Sequence, residues 1–229
     1  MILHANNIAV IASGRAEPIL HSSNLAIESG EFVILLGANG SGKSTLIKVL
    51  SGEITPSSGR VLMGGKSIAT LSQKQKAIDF VTISQSPDDR LFTSLTLAEN
   101  ITLWESRFLK RSFAVLPAKF TSLMDQRLCN FSGGERQNIL LHLAIAHPPK
   151  ILFLDEHTSA LDPKAAHEVM KLTAERVGAS SIATVMVTHK LEDALTYGSR
   201  IIIMNEGRII YDQKKDGSLT LSALKEMIV

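Results

Sequence analysis

The sequence predicts an α/β protein whose core is a mostly parallel sheet covered by helices. Strand-sized apolar runs alternate with amphipathic helical segments over the second half of the chain, and this alternation is typical of a parallel sheet. Residues 32–36 form an uninterrupted apolar run, as expected of a strand that is buried on both faces. Near the end of the chain, Asn205-Glu206-Gly207 separates two further apolar runs and indicates a hairpin.

The predicted elements begin after a turn at residues 27–31. We expect strands at residues 32–36, 60–63, 151–154, 184–187, 200–204 and 208–211. We expect helices at residues 45–50, 96–103, 107–114, 134–147, 163–177 and 191–197. Gly52 is placed to cap the first of these helices, and Pro148-Pro149 ends the fourth. We therefore predict one domain over residues 1–229, with a helical subdomain inserted at approximately 87–147.

The composition excludes several classes of protein. With 45% hydrophobic and 20% charged residues, the 229-residue chain has the balance of a folded protein rather than a disordered one. Its net charge of +2 and its 5% aromatic content argue against a nucleic-acid partner. The single Cys129 excludes an intramolecular disulfide. Because no apolar run approaches the roughly 20 residues that span a bilayer, we expect a soluble, cytosolic chain that reaches a membrane only through a partner.

A phosphate-binding loop is predicted directly after the first apolar run. Residues 37–44 match the pattern G-x-x-x-x-G-K-[ST] between a predicted strand and a predicted helix. Glycines let backbone N–H groups surround phosphate oxygens, a lysine reaches the β- and γ-phosphates, and a hydroxyl ligates Mg²⁺. The alternative is a glycine-rich turn before a helix, which the strand and helix on either side make improbable. The candidate nucleotide-binding residues are Gly37, Asn39, Gly40, Ser41, Gly42, Lys43, Ser44 and Thr45.

Two acidic residues and a histidine follow predicted parallel strands, where such sheets bind ligands. Asp155 and Glu156 end the strand at 151–154, so Asp155 is a candidate Mg²⁺ ligand and Glu156 a candidate base that activates water. His189 follows the strand at 184–187 and could donate to a γ-phosphate oxygen. Taken alone, the acids could simply cap a strand and the histidine could be an ordinary loop residue. The phosphate loop earlier in the chain favours the interpretation that these three residues act on a bound nucleotide.

Phe131-Ser132-Gly133-Gly134-Glu135 resembles the signature motif of ABC transporter ATPase subunits. Other motifs of that family stand in the same order along nearly the whole chain: Gln85 matches the Q-loop, Asp155-Glu156 the Walker B pair, Asp162 the D-loop, and His189 the switch histidine. The resemblance implies a P-loop ATPase with an N-terminal antiparallel β part, and it implies that Ser44, Gln85 and Asp155 hold Mg²⁺. It also implies catalytic roles for Glu156, His189 and Gln85.

The resemblance further implies that two ATPase subunits pair head-to-tail. ATP would then lie between one phosphate loop and the partner's signature residues, with Ser132, Gly133, Gly134 and Glu135 acting in trans. The implied partners are a second copy of this chain, transmembrane permease subunits and a solute-binding protein, at the cytoplasmic face of the cell membrane. The compact length favours an importer, similar to a bacterial subgroup of ATPases that includes aromatic amino-acid uptake systems. The alternative is a non-transport ABC ATPase in a cytosolic complex.

Two departures from the family pattern bear on these expectations. The aromatic residue that usually stacks on adenine would fall near Ala12, but no Phe, Tyr or Trp precedes Phe32, so Arg15 is a candidate substitute and we expect weak base selectivity. His157 stands where proline is common after the catalytic acid.

A GTPase is disfavoured, because the chain has no Asn-Lys-x-Asp element to read guanine. A catalytically inactive scaffold is disfavoured, because each catalytic residue type is present.

Overall fold

The computed structural model describes residues 2–12, 14, 17–106, 108 and 116–228. The strands, in chain order, are β1 (Leu3–Val10), β2 (Leu20–Ile27), β3 (Phe32–Gly37), β4 (Ser58–Met63), β5 (Lys66–Ser67), β6 (Phe80–Ile83), β7 (Ile151–Asp155), β8 (Ala183–Val187), β9 (Arg200–Asn205) and β10 (Arg208–Lys214). The helices are α1 (Lys43–Leu50), α2 (Gln73–Asp79), α3 (Leu97–Glu105), α4 (Ala118–Thr121), α5 (Gly133–Ala146), α6 (Pro163–Gly178), α7 (Leu191–Tyr197) and α8 (Leu221–Ile228).

The strands form two sheets. The larger sheet has the order β10-β9-β3-β8-β7-β6, and its neighbouring strands are parallel except for the β9–β10 hairpin. The smaller sheet has the order β2-β1-β4-β5 and is antiparallel. These sheets confirm the predicted α/β class with a mostly parallel core and an N-terminal antiparallel part.

Both faces of β3 are buried, as its continuous apolar sequence predicts. Ile34 and Leu36 point into a core that extends through the helical segment between β6 and β7 and through α5 and α6. Val33 and Leu35 point into a second core, which α1 and the antiparallel sheet share. The inserted helices thus pack on a core that begins on the central sheet, and we retain the proposal of a single domain with a helical subdomain at approximately 87–147.

The structure agrees with most of the predicted elements and adds several that sequence patterns did not indicate. The predicted strands and helices from residue 134 onward are observed within about two residues of their expected bounds, except for a longer β10. The helix expected at 96–103 is α3, which ends at Glu105. The helix expected at 107–114 lies outside the described residues except for Phe108, which follows α3 in a bend. Sequence patterns gave no bounds for seven elements, which are β1, β2, β5, β6, α2, α4 and α8.

The parallel strands bring the predicted motifs to one edge of the sheet. In the register of the ladders, Asp155 on β7 is level with Val187 on β8, and Val187 is level with Leu35 on β3. The segments that follow β3, β6, β7 and β8 therefore leave the sheet side by side at their carboxyl ends, which is where ligands bind in parallel sheets.

Candidate functional site

The phosphate loop joins β3 to α1, as its sequence predicts. At Gly37 the backbone φ is 146°, and a Cβ atom would lie 2.2 Å from the Met204 carbonyl oxygen and 2.7 Å from Ser41 Oγ. Only glycine fits this approach, so β9 fixes where the loop starts. The loop then delivers its backbone amides and Ser44 to the first turn of α1, where the helix dipole favours an anion.

Lys43 lies inside the phosphate loop and is only 6% exposed. Its Nζ donates hydrogen bonds to the carbonyl oxygens of Gly37, at 2.9 Å, and Ala38, at 2.8 Å. Burial lowers the pKa of the Lys43 ammonium, and the carboxylates of Glu156 and Asp155 oppose this shift. A partly desolvated cation held by neutral carbonyls gains strongly from an anionic partner, as the phosphates of a nucleotide would provide.

Ser44 and Asp155 are close to one another. The Ser44 hydroxyl donates a hydrogen bond to the Asp155 carboxylate, and burial raises the pKa of Asp155 while this hydrogen bond lowers it. Gln85, which follows β6, borders the same cleft of about 690 Å³ as Ser44, Asp155 and Glu156. Hydroxyl, carboxylate and amide oxygens are ligands that Mg²⁺ prefers, so these three side chains fit the metal that the sequence motifs imply.

Glu156 and His189 form a hydrogen-bonded pair. His189 Nε2 lies 2.8 Å from Glu156 Oε1, and the side chains are 44% and 29% exposed respectively. Glu156 has a backbone φ of 50°, which is uncommon for a residue with a side chain. The sequence placed His189 at the end of its strand but did not predict that its ring would contact the candidate base.

The residue after Glu156 points away from the cleft. His157 is buried and its Nε2 lies 3.4 Å from Thr173 Oγ1 on α6. Burial lowers the pKa of His157 to about 4, so the imidazole is neutral at physiological pH.

The signature residues begin α5. Ser132 is the N-cap, and its hydroxyl and the Glu135 side chain form a capping box, with the Glu135 N–H 3.3 Å from Ser132 Oγ. Gly134 packs against α6, because a Cβ atom there would lie 2.8 Å from Ala165 Cβ. Asp162 caps α6 by accepting hydrogen bonds from the N–H groups of Lys164 and Ala165.

The signature opens mainly onto a different surface from the phosphate loop. Ser132, Gly134 and Glu135 line a depression of about 300 Å³ that Asp162 also borders, whereas Gly133 borders the cleft of Gln85 and Glu156. None of the phosphate-loop residues 37–45 lines the depression, in the part of the chain that the structure describes. Within one subunit, therefore, the structure does not bring the signature hydroxyl onto the phosphate loop.

Two contacts that sequence analysis missed connect α5 to the Q-loop. Gln137 is 1% exposed, and its Nε2 donates a hydrogen bond of 3.1 Å to the Ser84 carbonyl oxygen. Arg136 Nε lies 3.3 Å from Asp88 Oδ1. No sequence pattern could have found these pairs, because each joins segments about 50 residues apart that only the folded sheet brings together.

The sequence has no aromatic residue in or directly after β1, where the resemblance leads us to expect one. Ile11 follows this strand with half of its surface exposed, and its N–H donates to Ser57 Oγ at 3.0 Å. Ile19, whose N–H donates to the Val10 carbonyl at 2.8 Å, places this strand end close to the phosphate loop. The proposed substitute Arg15 lies outside the described residues.

Known proteins match the chain over most of its length. The ABC transporter family profile matches residues 20–159. A tyrosine transport ATP-binding protein of Clostridioides difficile is 33% identical over 93% of this chain and 92% of its own length. The solved structure of cbiO1 from Clostridium perfringens, described as part of the ABC transporter complex cbiONQ, is 27% identical, with a TM-score of 0.80 over 99% of this chain and 94% of that one.

A further solved structure supports the fold. An ATP-binding cassette described as a dimeric post-hydrolysis state bound to ADP and Pi has a TM-score of 0.79 and 24% identity, over 94% of this chain and 100% of that one. None of the helices in the described ranges is both long and apolar enough to cross a membrane. The motif order, the geometry of the cleft and these matches lead to one conclusion: the chain belongs to the ABC transporter family and is one of its ATP-hydrolysing subunits.

Proposed function

We propose that this subunit binds Mg-ATP on residues 37–45 and hydrolyses it with Glu156 as the water-activating base. Lys43 and the loop amides would hold the β- and γ-phosphates. Ser44, Gln85 and Asp155 would hold Mg²⁺, which would neutralise charge on the phosphate oxygens. This assignment is supported by the cleft that Ser44, Gln85, Asp155 and Glu156 share.

The chemical step follows from the positions of these groups. Water attacks the γ-phosphorus while the bond to the bridging β–γ oxygen breaks, which releases ADP and phosphate. Glu156 orients the water and accepts its proton, and His189 holds the Glu156 carboxylate through their 2.8 Å hydrogen bond. Lys43 stabilises the negative charge that spreads over the γ-phosphate oxygens in the transition state.

We further propose that two copies of the chain enclose ATP between the phosphate loop of one and the signature of the other. The observation that carries this proposal is the separation of the two half-sites, because Ser132, Gly134 and Glu135 open onto a surface that the phosphate loop of the same chain does not line. The first amides of α5 offer donors for a γ-phosphate that only another subunit could present. The Ser132 hydroxyl, which here donates to Glu135 Oε2 at 2.9 Å, would have to turn from Glu135 to donate to that phosphate. A solved cassette of the same fold is described as dimeric and bound to ADP and Pi.

Light scattering on Glu156→Gln with and without Mg-ATP tests the shared site. We expect a monomer without nucleotide and a dimer with it, because the variant keeps the phosphate cradle but cannot activate water. Ser132→Arg in the Glu156→Gln background is the matched control, since it should keep ATP binding and lose the dimer. A Glu156→Gln chain that binds ATP and stays monomeric would contradict the proposal that two copies of this chain enclose ATP without another protein.

We propose that the dimer drives solute import through transmembrane permease subunits at the cytoplasmic face of the membrane, together with a solute-binding protein. The named relatives are components of transport systems, which does not favour a non-transport ATPase. Phe92, 58% exposed on the segment that follows the Q-loop, offers an apolar contact for such a permease. Co-purification of permease subunits with the tagged chain, and its loss in Phe92→Asp, would test the docking.

An aromatic amino acid is the solute class that we propose, because the Clostridioides difficile relative is named for tyrosine transport. Uptake of labelled tyrosine by cells with the intact gene should exceed uptake by cells with a Lys43→Ala allele. If the two kinds of cell take up tyrosine equally but differ in the uptake of another labelled solute, that solute would replace an aromatic amino acid in the proposal.

A further inference from the structure

The backbone of Glu156 is held in an uncommon conformation by contacts on both sides. Its φ of 50° lies in the left-handed region, which a residue with a Cβ atom adopts only when its surroundings enforce it. Its N–H donates to the Val187 carbonyl oxygen at 3.2 Å. Its own carbonyl oxygen accepts hydrogen bonds from the Ser159 N–H, at 2.9 Å, and from Ser159 Oγ, at 2.8 Å.

The next side chain anchors this turn in the protein interior. His157 is 2% exposed and reaches Thr173 on α6, which is fully buried. Because the Thr173 hydroxyl donates its hydrogen to the Val169 carbonyl at 2.8 Å, its oxygen can only accept from His157 Nε2 at 3.4 Å. The His157 ring is thus fixed by burial and by a hydrogen bond of defined direction.

We propose that His157 is a positioning residue for hydrolysis: its anchor on Thr173 holds the left-handed turn that aims the Glu156 carboxylate at His189. This inference rests on the proposed role of Glu156 as the base. A flexible turn would let Glu156 relax toward ordinary φ values, and its carboxylate would leave the position from which it contacts His189 at 2.8 Å. A displacement of about 1 Å in a catalytic group can lower the rate about 100-fold.

The competing explanation is that His157 only fills space in the core. In that case, removing its hydrogen bond would lower stability but leave the turnover of the folded protein unchanged. Thr173→Val separates the two explanations, because it removes the acceptor with almost no change of shape. Thr173→Ser restores a hydroxyl and should restore positioning.

Thr184→Val is a matched control. Thr184 is as buried as Thr173, on β8, and its hydroxyl has no hydrogen-bond partner among the described residues. The same substitution there should affect packing equally and leave the turn at Glu156 untouched. We therefore compare kcat, the Kd for Mg-ATP and urea unfolding in Thr173→Val, Thr173→Ser and Thr184→Val, with His157→Leu as a further anchor variant.

We expect Thr173→Val and His157→Leu to lower kcat about 10- to 100-fold, with the Kd for Mg-ATP within about twofold of wild type. We expect Thr173→Ser and Thr184→Val to keep kcat within about threefold. A crystal structure of Thr173→Val should show Glu156 outside the left-handed region and its carboxylate no longer bonded to His189. Equal kcat in Thr173→Val and Thr184→Val, or an unchanged Glu156–His189 pair in that crystal structure, would overturn the proposal.

Glu156→Gln shows whether a negative result refutes only the positioning role of His157 or also the proposed role of Glu156 as the base. If Glu156→Gln hydrolyses ATP at the wild-type rate, Glu156 is not the base, and both its role and the positioning role of His157 are refuted. If Glu156→Gln is inactive while Thr173→Val keeps the wild-type kcat, only the positioning role is refuted. In the Glu156→Gln background, Thr173→Val should cause no further loss of residual activity, and a further loss of the same size would show that Thr173 does not act through Glu156.

Discussion

The tip of the β9–β10 hairpin supports the phosphate loop, and Gly207→Ala tests this contact. The Gly207 N–H donates to the Ser41 carbonyl oxygen at 3.0 Å, and the Gly207 carbonyl accepts from the His21 N–H at 2.9 Å. Gly207 has a φ of 73°, and a Cβ atom there would lie 2.4 Å from the Ile19 carbonyl oxygen. The hairpin tip must therefore move if Gly207 gains a side chain, and its two hydrogen bonds would be strained or lost.

The expected magnitude follows from these contacts. The left-handed backbone conformation costs an alanine about 1 kcal/mol. Loss of the two hydrogen bonds adds about 1 kcal/mol each. We therefore expect Gly207→Ala to lower the free energy of unfolding by about 3 kcal/mol. Because Ser41 loses its support, we also expect the Kd for Mg-ATP to rise about 10-fold, which corresponds to about 1.4 kcal/mol.

Gly65→Ala is the control for the backbone effect alone. Gly65 is the second residue of the two-residue turn between β4 and β5, as Gly207 is between β9 and β10. Its φ is 80°, but a Cβ atom there would have nothing within 4 Å. We expect Gly65→Ala to lower the free energy of unfolding by only about 1 kcal/mol and to leave ATP binding unchanged.

Urea unfolding and titration with a fluorescent ATP analogue measure the two effects. The reasoning is refuted if Gly207→Ala and Gly65→Ala lose the same stability and bind the analogue equally well. A loss of stability in Gly207→Ala without weaker binding would show that the hairpin supports the fold but not the phosphate loop.

Three further substitutions test other parts of the structure. Lys43→Ala should abolish ATP hydrolysis because the phosphates lose their buried cation, and steady-state turnover near wild type would show that Lys43 is not required. Arg200→Met should lower the free energy of unfolding by about 3 kcal/mol and the Tm by about 6–12 °C. Arg200 donates two hydrogen bonds to Asp212, and its Nη1 lies 3.4 Å from the Glu31 carboxylate, so both part-buried carboxylates would lose their cation. A loss below about 1 kcal/mol in the free energy of unfolding, measured in urea, would contradict a structural role for these three residues. Competition binding should show weak discrimination between ATP and GTP, and Ala12→Tyr should increase the preference for ATP; a wild-type preference of about 100-fold would mean that another group reads the base.

The central elements of the fold were predictable because their residues carry the signal locally. The run Phe32 to Leu36 is apolar on both faces of its strand, and the hairpin at Glu206 and Gly207 has turn residues with positive φ of 45° and 73°. Sequence patterns did not predict the first strand, β1. Asn7 has a φ of 48°, and the pairing of β1 with β2 shifts register near it, so the alternation of buried and exposed residues breaks within the strand.

In the candidate site, too, the residue types were predictable from the sequence, whereas the contacts between them were not. Sequence motifs predicted roles for Lys43, Ser44, Asp155 and Glu156, because phosphate and magnesium chemistry requires these residue types at a fixed spacing. They did not indicate that Lys43 Nζ bonds to the loop carbonyls or that His189 bonds to Glu156. Such contacts depend on side-chain direction, which only the assembled sheet edge determines.

Short contiguous motifs were enough to predict the phosphate loop, the acidic strand end and the signature helix. How these groups are held depends on contacts that form only in the folded chain. The carbonyl oxygen of Met204 restricts Gly37, Thr173 anchors His157, and Gly207 supports Ser41, and each pair is distant in sequence. Contacts of this kind are fixed by the register of parallel strands and the packing of helices on them, so no local pattern in the chain encodes them.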